Sequence, residues 1–263
     1  MYRQHFGITA CPLDKGAALF DDGQLSLLRE RFQWLLDAPG IGVLTGEAGV
    51  GKTAALRQLT EPLNPHRYQV IYSPDTDCSR RDLYRNLAIS LGLEPAYRRT
   101  QLWQDLKARI QDLADDKQVQ LLWIVDEAHN LCGQFFRDLP AFLNFAFDSK
   151  DMMTVWFVGQ PGLLYTLDRA PNAALASRIQ VRVNLKPIRE HAPFRAMVEH
   201  AFQAVGCHQT LLSDSGLELL RQASQGKPRH AGQILKAALR LAVPKGLNHL
   251  PDELIQEAVE VLR

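Results

Sequence analysis

The chain has 263 residues, 46% of them apolar and 22% charged, enough for one large α/β domain or for such a domain with a smaller appendage. A net charge of +1 leaves any basic surface local, and the four cysteines (Cys11, Cys78, Cys132, Cys207) lack CxxC spacing or a histidine at a ligand interval, which argues against a disulfide framework or zinc site and for reduced thiols. Residues Met1 to Gly7 show no signal-peptide apolar region, and no segment approaches the roughly 18 apolar residues of a bilayer span, so a soluble, cytoplasmic protein with no membrane partner is expected.

Up to Asp22 the residues follow no clear period, and 1–23 is expected to be a strap that packs Phe6 and Phe20. From Gln24 to Leu36, Leu25, Leu28, Phe32 and Leu35 or Leu36 recur at helical spacing. The apolar run Ile41-Gly42-Val43-Leu44 leads into Gly46-Glu47-Ala48-Gly49-Val50-Gly51-Lys52-Thr53, and a helical pattern begins at Ala54. These residues satisfy G-x-x-x-x-G-K-[ST] at every fixed position, with the required strand before and helix after. Glycines let the backbone turn its N–H groups inward around an anion, and the following helix aims its positive end at the same place. Residues Gly46 to Ala54 are thus the expected phosphate cradle, with Lys52 reaching the β and γ phosphates and the Thr53 hydroxyl on Mg²⁺.

Pro62 and Pro65 break the chain before a second strand at Tyr68 to Tyr72. Ser79 is expected to cap a helix from Arg80 to about Leu91, and Thr100 a second through Asp115. Val119 to Val125 is nearly all apolar, as a strand covered on both faces must be, and ends in Asp126-Glu127. Phe135, Leu139, Phe142, Leu143 and Phe147 mark another helix. Met153 to Val158 is a fourth strand, stopped by Gly159-Gln160-Pro161-Gly162, and Gln180 to Leu185 a fifth. Strands alternating with helices predict a parallel five-stranded sheet over 24–187, with right-handed crossovers. Beyond a boundary near Pro187, helical patterns at 191–205, 214–224, 229–243 and 251–262 predict a small all-α domain, 188–263.

The apolar third strand delivers two acids to the sheet edge where the phosphate loop starts. Asp126 is expected to hold Mg²⁺, directly or through water, and Glu127 to polarise an attacking water. The second acid favours ATP hydrolysis. Gln160 closes the next buried strand, beside the expected γ phosphate, and is placed to orient that water. Gly226-Lys227-Pro228-Arg229 opens a lid helix whose arginine is placed to fold back on the phosphates. Arg178, just before the fifth strand, has no evident role in its own site. It is a candidate to enter a neighbouring subunit's site, with Arg169 as rival and a surface salt bridge as the plain alternative.

Together these residues resemble the AAA+ ATPases, from about Leu25 to the C-terminus. More narrowly, Tyr2 to Gly7, Leu44-Thr45-Gly46-Glu47, Val125-Asp126-Glu127-Ala128-His129-Asn130-Leu131, Val158-Gly159-Gln160-Pro161 and Ser177 to Leu185 are similar to the ExeA/TniB/TnsC-like branch. The resemblance implies a P-loop NTPase with an α-helical lid, using ATP and Mg²⁺. Transposition members of that branch assemble as ATP-bound helical oligomers on duplex DNA and stimulate a transposase, with hydrolysis dismantling the assembly. Secretion members add a membrane span and a peptidoglycan-binding segment after the ATPase. The chain ends at Arg263 with neither, which favours the transposition reading; a secretion-assembly ATPase is the alternative. A nucleotide-dependent signalling switch is a third, for which the lid with its GxxR is unneeded. Between Arg80 and Arg109 seven bases face three acids, a net +4. Arg98-Arg99-Thr100, at a turn entering a helix, are the expected contacts to double-stranded DNA, with a solvated helical face as the bland alternative. A homo-oligomer, ring or helical filament, would repeat them.

Overall fold

The computed structural model describes residues 2–262. Five strands, β1 (Ile41–Gly46), β2 (Tyr68–Ser73), β3 (Gln120–Val125), β4 (Met153–Gly159) and β5 (Ile179–Leu185), form one sheet in the order β2-β3-β4-β1-β5, and every adjacent pair is parallel. The order follows from the sequence. Strands β1 and β4 are buried at every position and β3 at all but its first, because their runs are apolar and covered on both faces. β5 alternates buried with exposed residues from Gln180 on, and its Gln-Val-Arg-Val-Asn-Leu pattern suits an edge. β2, the other edge, carries the exposed side chains of Val70 and Tyr72 between buried Ile71 and Ser73.

The chain folds as two compact units. One comprises Ser26–Gly46 and Leu56–Leu185 and holds the sheet. Its core joins β1, β3 and β4 to the helices Arg80–Ser90, Arg99–Gln111 and Gly133–Leu143 through an aromatic cluster in which Tyr84 touches Trp103, Phe135 and Phe142. Ser79 caps the first of these helices by accepting from the Asp82 N–H, as the sequence predicts. Two boundaries differ. The second helix begins at Arg99, so Thr100 lies in its first turn and Arg98 stands at the cap without a side-chain bond; the helix then widens into a π turn at Asp112–Asp116. The third helix ends at Leu143. Phe147, four residues on, mimics its periodicity, yet Phe145 takes the buried position while Phe147 is fully exposed in a left-handed backbone (φ 59°).

The other unit takes the N-terminal residues through Leu25, Glu47–Ala55, and the chain from Lys186 on. Its helices His191–Ala204, Asp214–Ser224, Pro228–Ala242 and Asp252–Val261 bury Phe194, Leu220, Ile234, Leu235, Leu239 and Ile255. The N-terminal strap joins this core. Ile8 is buried, the Thr9 N–H donates to the Val205 carbonyl (3.0 Å), and the rings of Phe20 and His200 lie 5.9 Å apart. Residues Tyr2–Phe6 form a helix too short to show a period, so only packing holds it. The lid helix begins where Gly226 (φ +70°) lets the chain turn; a Cβ there would come within 2.2 Å of the Ile188 carbonyl oxygen.

Glu218 and Arg221, one turn apart in this unit, make a bidentate pair, which with Gln222 holds the Glu218 carboxyl down at about 2. A depressed carboxylate stabilises the fold above the unfolded-state value near 4.3 and ceases to as pH falls through the folded one. Glu218→Gln should therefore lower the melting temperature at neutral pH, and the difference from wild type should close between about pH 4.5 and pH 2 in thermal melts followed by circular dichroism. A gap that persists at pH 2 would assign the loss to packing instead.

Candidate nucleotide site

The phosphate loop leaves β1 at Gly46 and enters the helix Lys52–Thr60. Gly49 (φ +88°) and Gly51 (φ +102°) take left-handed backbones that side-chain-bearing residues resist. Lys52 is nearly buried, and its Nζ donates to the Glu47 carbonyl (3.1 Å) across the loop it serves.

Within the same unit the start of the lid helix meets this loop. The Arg229 N–H donates to the Gly49 carbonyl (3.2 Å), and a Cβ on Gly49 would lie 3.3 Å from the Cβ of Arg229, so glycine is what admits the helix. Glu47 Oε2 is 2.8 Å from Lys227 Nζ and Oε1 is 3.3 Å from Arg189 Nη2. The bond from Lys227, foremost, holds the Glu47 carboxyl below the usual carboxylate range. The Arg229 side chain is exposed and has no ion-pair partner among the described residues. An anion at the loop would thus meet Lys52, Arg189, Lys227 and Arg229 from one unit. The sequence pointed to Lys52 and Arg229. It did not single out Arg189 and Lys227, whose only signal was that both flank the lid's turn.

In the sheet unit, β3 and β4 deliver the acids and the glutamine to one edge. Thr45 pairs with Gly159, and Val125 with Phe157, so β1, β3 and β4 end on the same side, with Gly46 as the last residue of β1 and Asp126 and Gln160 just beyond β3 and β4. Asp126 is 4% exposed; its N–H continues the ladder to the Ser73 carbonyl (2.9 Å). Its Oδ1 accepts from the Glu127 N–H (2.8 Å) and its Oδ2 from the Tyr72 hydroxyl (2.8 Å). Glu127 bends back in a left-handed conformation (φ 49°, ψ 34°), which throws its carboxylate into solvent, and Thr76 holds the bend by donating to the Glu127 carbonyl (2.8 Å). His129 Nδ1 lies 3.4 Å from Glu127 Oε2 and accepts from the Gln160 N–H at 3.4 Å. Gln160 itself is exposed at the strand end.

The remaining candidates stand apart. Arg178 lies before β5, at the sheet edge opposite Asp126, and pairs with Asp148 of its own chain (2.7 Å), as the salt-bridge alternative anticipates. Arg169 is exposed after the helix Gly162–Leu167. Arg99 reaches Asp138 (3.0 Å) and stacks on Trp103 (4.3 Å), and Arg80 also pairs with Asp138. Arg98 and Thr100 are exposed.

A family model described as AAA domain matches residues 36–167, from before the phosphate loop to beyond Gln160. The chain belongs to this AAA+ ATPase family. It is 30% identical over 259 residues to General secretion pathway protein A of Aeromonas hydrophila, an alignment covering 94% of this chain and 46% of that protein, so the chain spans about half the length of that relative. Among solved structures it resembles the Aeropyrum pernix ORC2 protein (TM-score 0.69, 18% identity, 98% of this chain and 71% of that one). It also resembles Drosophila ORC bound to DNA (0.70, 17%, 100% and 65%) and the Thermotoga maritima RuvB Holliday junction branch migration motor (0.58, 17%, 93% and 70%). At these identities the likeness is one of fold: a parallel five-stranded α/β sheet of the AAA+ type. Among the described residues no helix is long and apolar enough to cross a membrane.

Proposed function

We propose that this AAA+ ATPase is an ATP-controlled assembly factor on double-stranded DNA, acting in transposition as a homo-oligomer that recruits or activates a transposase. The observation that carries the DNA reading is the surface around the Arg80–Ser90 and Arg99–Gln111 helices. Among the described residues, Arg85 and Arg98 have no ion-pair partner there, and Arg81 lies over the exposed ring of Tyr97 (4.5 Å) rather than on an acid. Unpaired arginines suit phosphate oxygens, Arg98 at the start of its helix and Arg85 midway along the other. Arg99 keeps part of its charge for Asp138 and is the weaker contact.

In this reading ATP lies on the phosphate loop, with Lys52 on its outer phosphates. Asp126 and the Thr53 hydroxyl would offer the hard oxygen donors that suit Mg²⁺, which when bound would supply charge neutralisation to the phosphates. Glu127 takes the proton of the attacking water, and Gln160 orients it. Arg229 reports closure of the lid, and Arg178 or Arg169 of a neighbouring copy completes the charge stabilisation; for Arg178 that means first leaving Asp148. Hydrolysis then resets the assembly.

Titration of the ATPase rate with non-specific duplex DNA tests this. Stimulation is expected, fading as salt rises, and Arg85→Glu with Arg98→Glu should flatten the log–log salt dependence of binding by about 2 per subunit engaged. A rate indifferent to DNA would instead support the second reading, an assembly ATPase for secretion. That reading is favoured by the relation to General secretion pathway protein A, and its partner would be a protein.

A further inference from the structure

We propose that Tyr72 is a positioning residue for the magnesium carboxylate: its hydroxyl fixes the rotamer of Asp126 so that the carboxylate meets the metal pre-oriented. The inference rests on the reading of Asp126 as that carboxylate. The register dictates the contact. Tyr72 pairs with Ile124, so Tyr72, Ile124 and Asp126 belong to the same face of the sheet, and Asp126 is the diagonal neighbour two residues along. That diagonal exceeds the reach of a short side chain, and a tyrosine spans it to place its hydroxyl 2.8 Å from Asp126 Oδ2. With the Glu127 N–H on Oδ1, both oxygens are held from the protein side. A carboxylate held at both oxygens has no rotamer freedom to lose when a cation arrives, so the ordering cost of binding is met by the fold.

Further contacts tie β2 to the same acids. The Ser73 carbonyl takes the Asp126 N–H, its hydroxyl takes the Trp123 indole N–H (3.0 Å), and Thr76 holds the Glu127 carbonyl. The edge strand is thus a brace for the acid pair.

The test compares wild type, Tyr72→Phe, Asp126→Asn and the double variant, using a fluorescent ATP analogue titrated with Mg²⁺ in the binding assay and, separately, in EDTA. Phenylalanine keeps the ring and removes only the hydroxyl. Tyr72→Phe should bind nucleotide like wild type in EDTA, with a folded state and a modestly lowered melting temperature, but need about tenfold more Mg²⁺ for half-maximal enhancement of affinity. In the Asp126→Asn background the same change should have no further effect, because Tyr72 acts through the carboxylate. An unaltered Mg²⁺ midpoint in Tyr72→Phe, with the expected loss in Asp126→Asn, overturns the positioning role alone. An unaltered midpoint in Asp126→Asn overturns the magnesium assignment and this inference with it. A tenfold shift that persists in the double variant also overturns it, since Tyr72 would then act independently of Asp126.

Discussion

Replacing Lys52 by alanine is expected to weaken ATP binding by about 100-fold, the roughly 3 kcal/mol at the upper end for hydrogen bonds to a charged group. The position explains why the effect is this large and why it should be specific. Lys52 is nearly buried at the first residue of its helix, where its charge adds to the helix's positive end. Its ammonium already rests on the Glu47 carbonyl, 3.1 Å away, so little reorganisation separates that position from one on a phosphate. The glycine conformations at Gly49 and Gly51 do not depend on it, so the loop should keep its shape and the melting temperature should move little. Equilibrium titration with a fluorescent ATP analogue measures the loss. An affinity within twofold of wild type would sink the assignment, and lost binding with a collapsed melting temperature would mean that the lysine was structural.

Much of this was legible in the sequence because the decisive residues lie on elements with strong patterns. The buried runs 41–44, 121–125 and 153–158 have no polar residue to confuse the period beyond Thr154, and the residues just after each run lie on the same edge of a parallel sheet. The phosphate loop, Asp126, Glu127 and Gln160 were therefore placed by adjacency to a strand end, which survives an error of one residue in any boundary. Contacts that depend on register were not legible. Tyr72 on Asp126 requires knowing that β2 pairs with β3 and at which offset, and Thr76 on Glu127 requires the path of the loop after β2. The same holds for Lys227 and Arg189 on Glu47, which lie 180 and 142 residues along the chain from their acid. Local periodicity carries no information about such pairs. The basic surface failed in a different way. A charge count cannot separate Arg99, engaged by Asp138 and Trp103, from its neighbour Arg98, which faces solvent.

Glu127→Gln should bind ATP as wild type does, yet hydrolyse it about 100- to 10,000-fold more slowly, the usual worth of a positioned general base. The geometry favours this separation of binding from chemistry. The left-handed bend at Glu127 is set by its backbone, through Thr76 on its carbonyl and Asp126 on its N–H, and neither bond involves the carboxylate. A glutamine of the same length should therefore project to the same place and lose only its ability to accept a proton. Its amide also keeps a hydrogen-bonding group 3.4 Å from His129, so the link towards the Gln160 N–H should persist. If hydrolysis is what resets the assembly, this variant should accumulate on DNA in ATP and stay there, whereas the wild type should release as ATP is consumed. Single-turnover hydrolysis alongside retention of labelled duplex DNA reads both effects in one preparation. Turnover within threefold of wild type would remove Glu127 from the chemistry. Slow turnover with normal DNA release would leave the ATPase assignment standing and detach hydrolysis from disassembly.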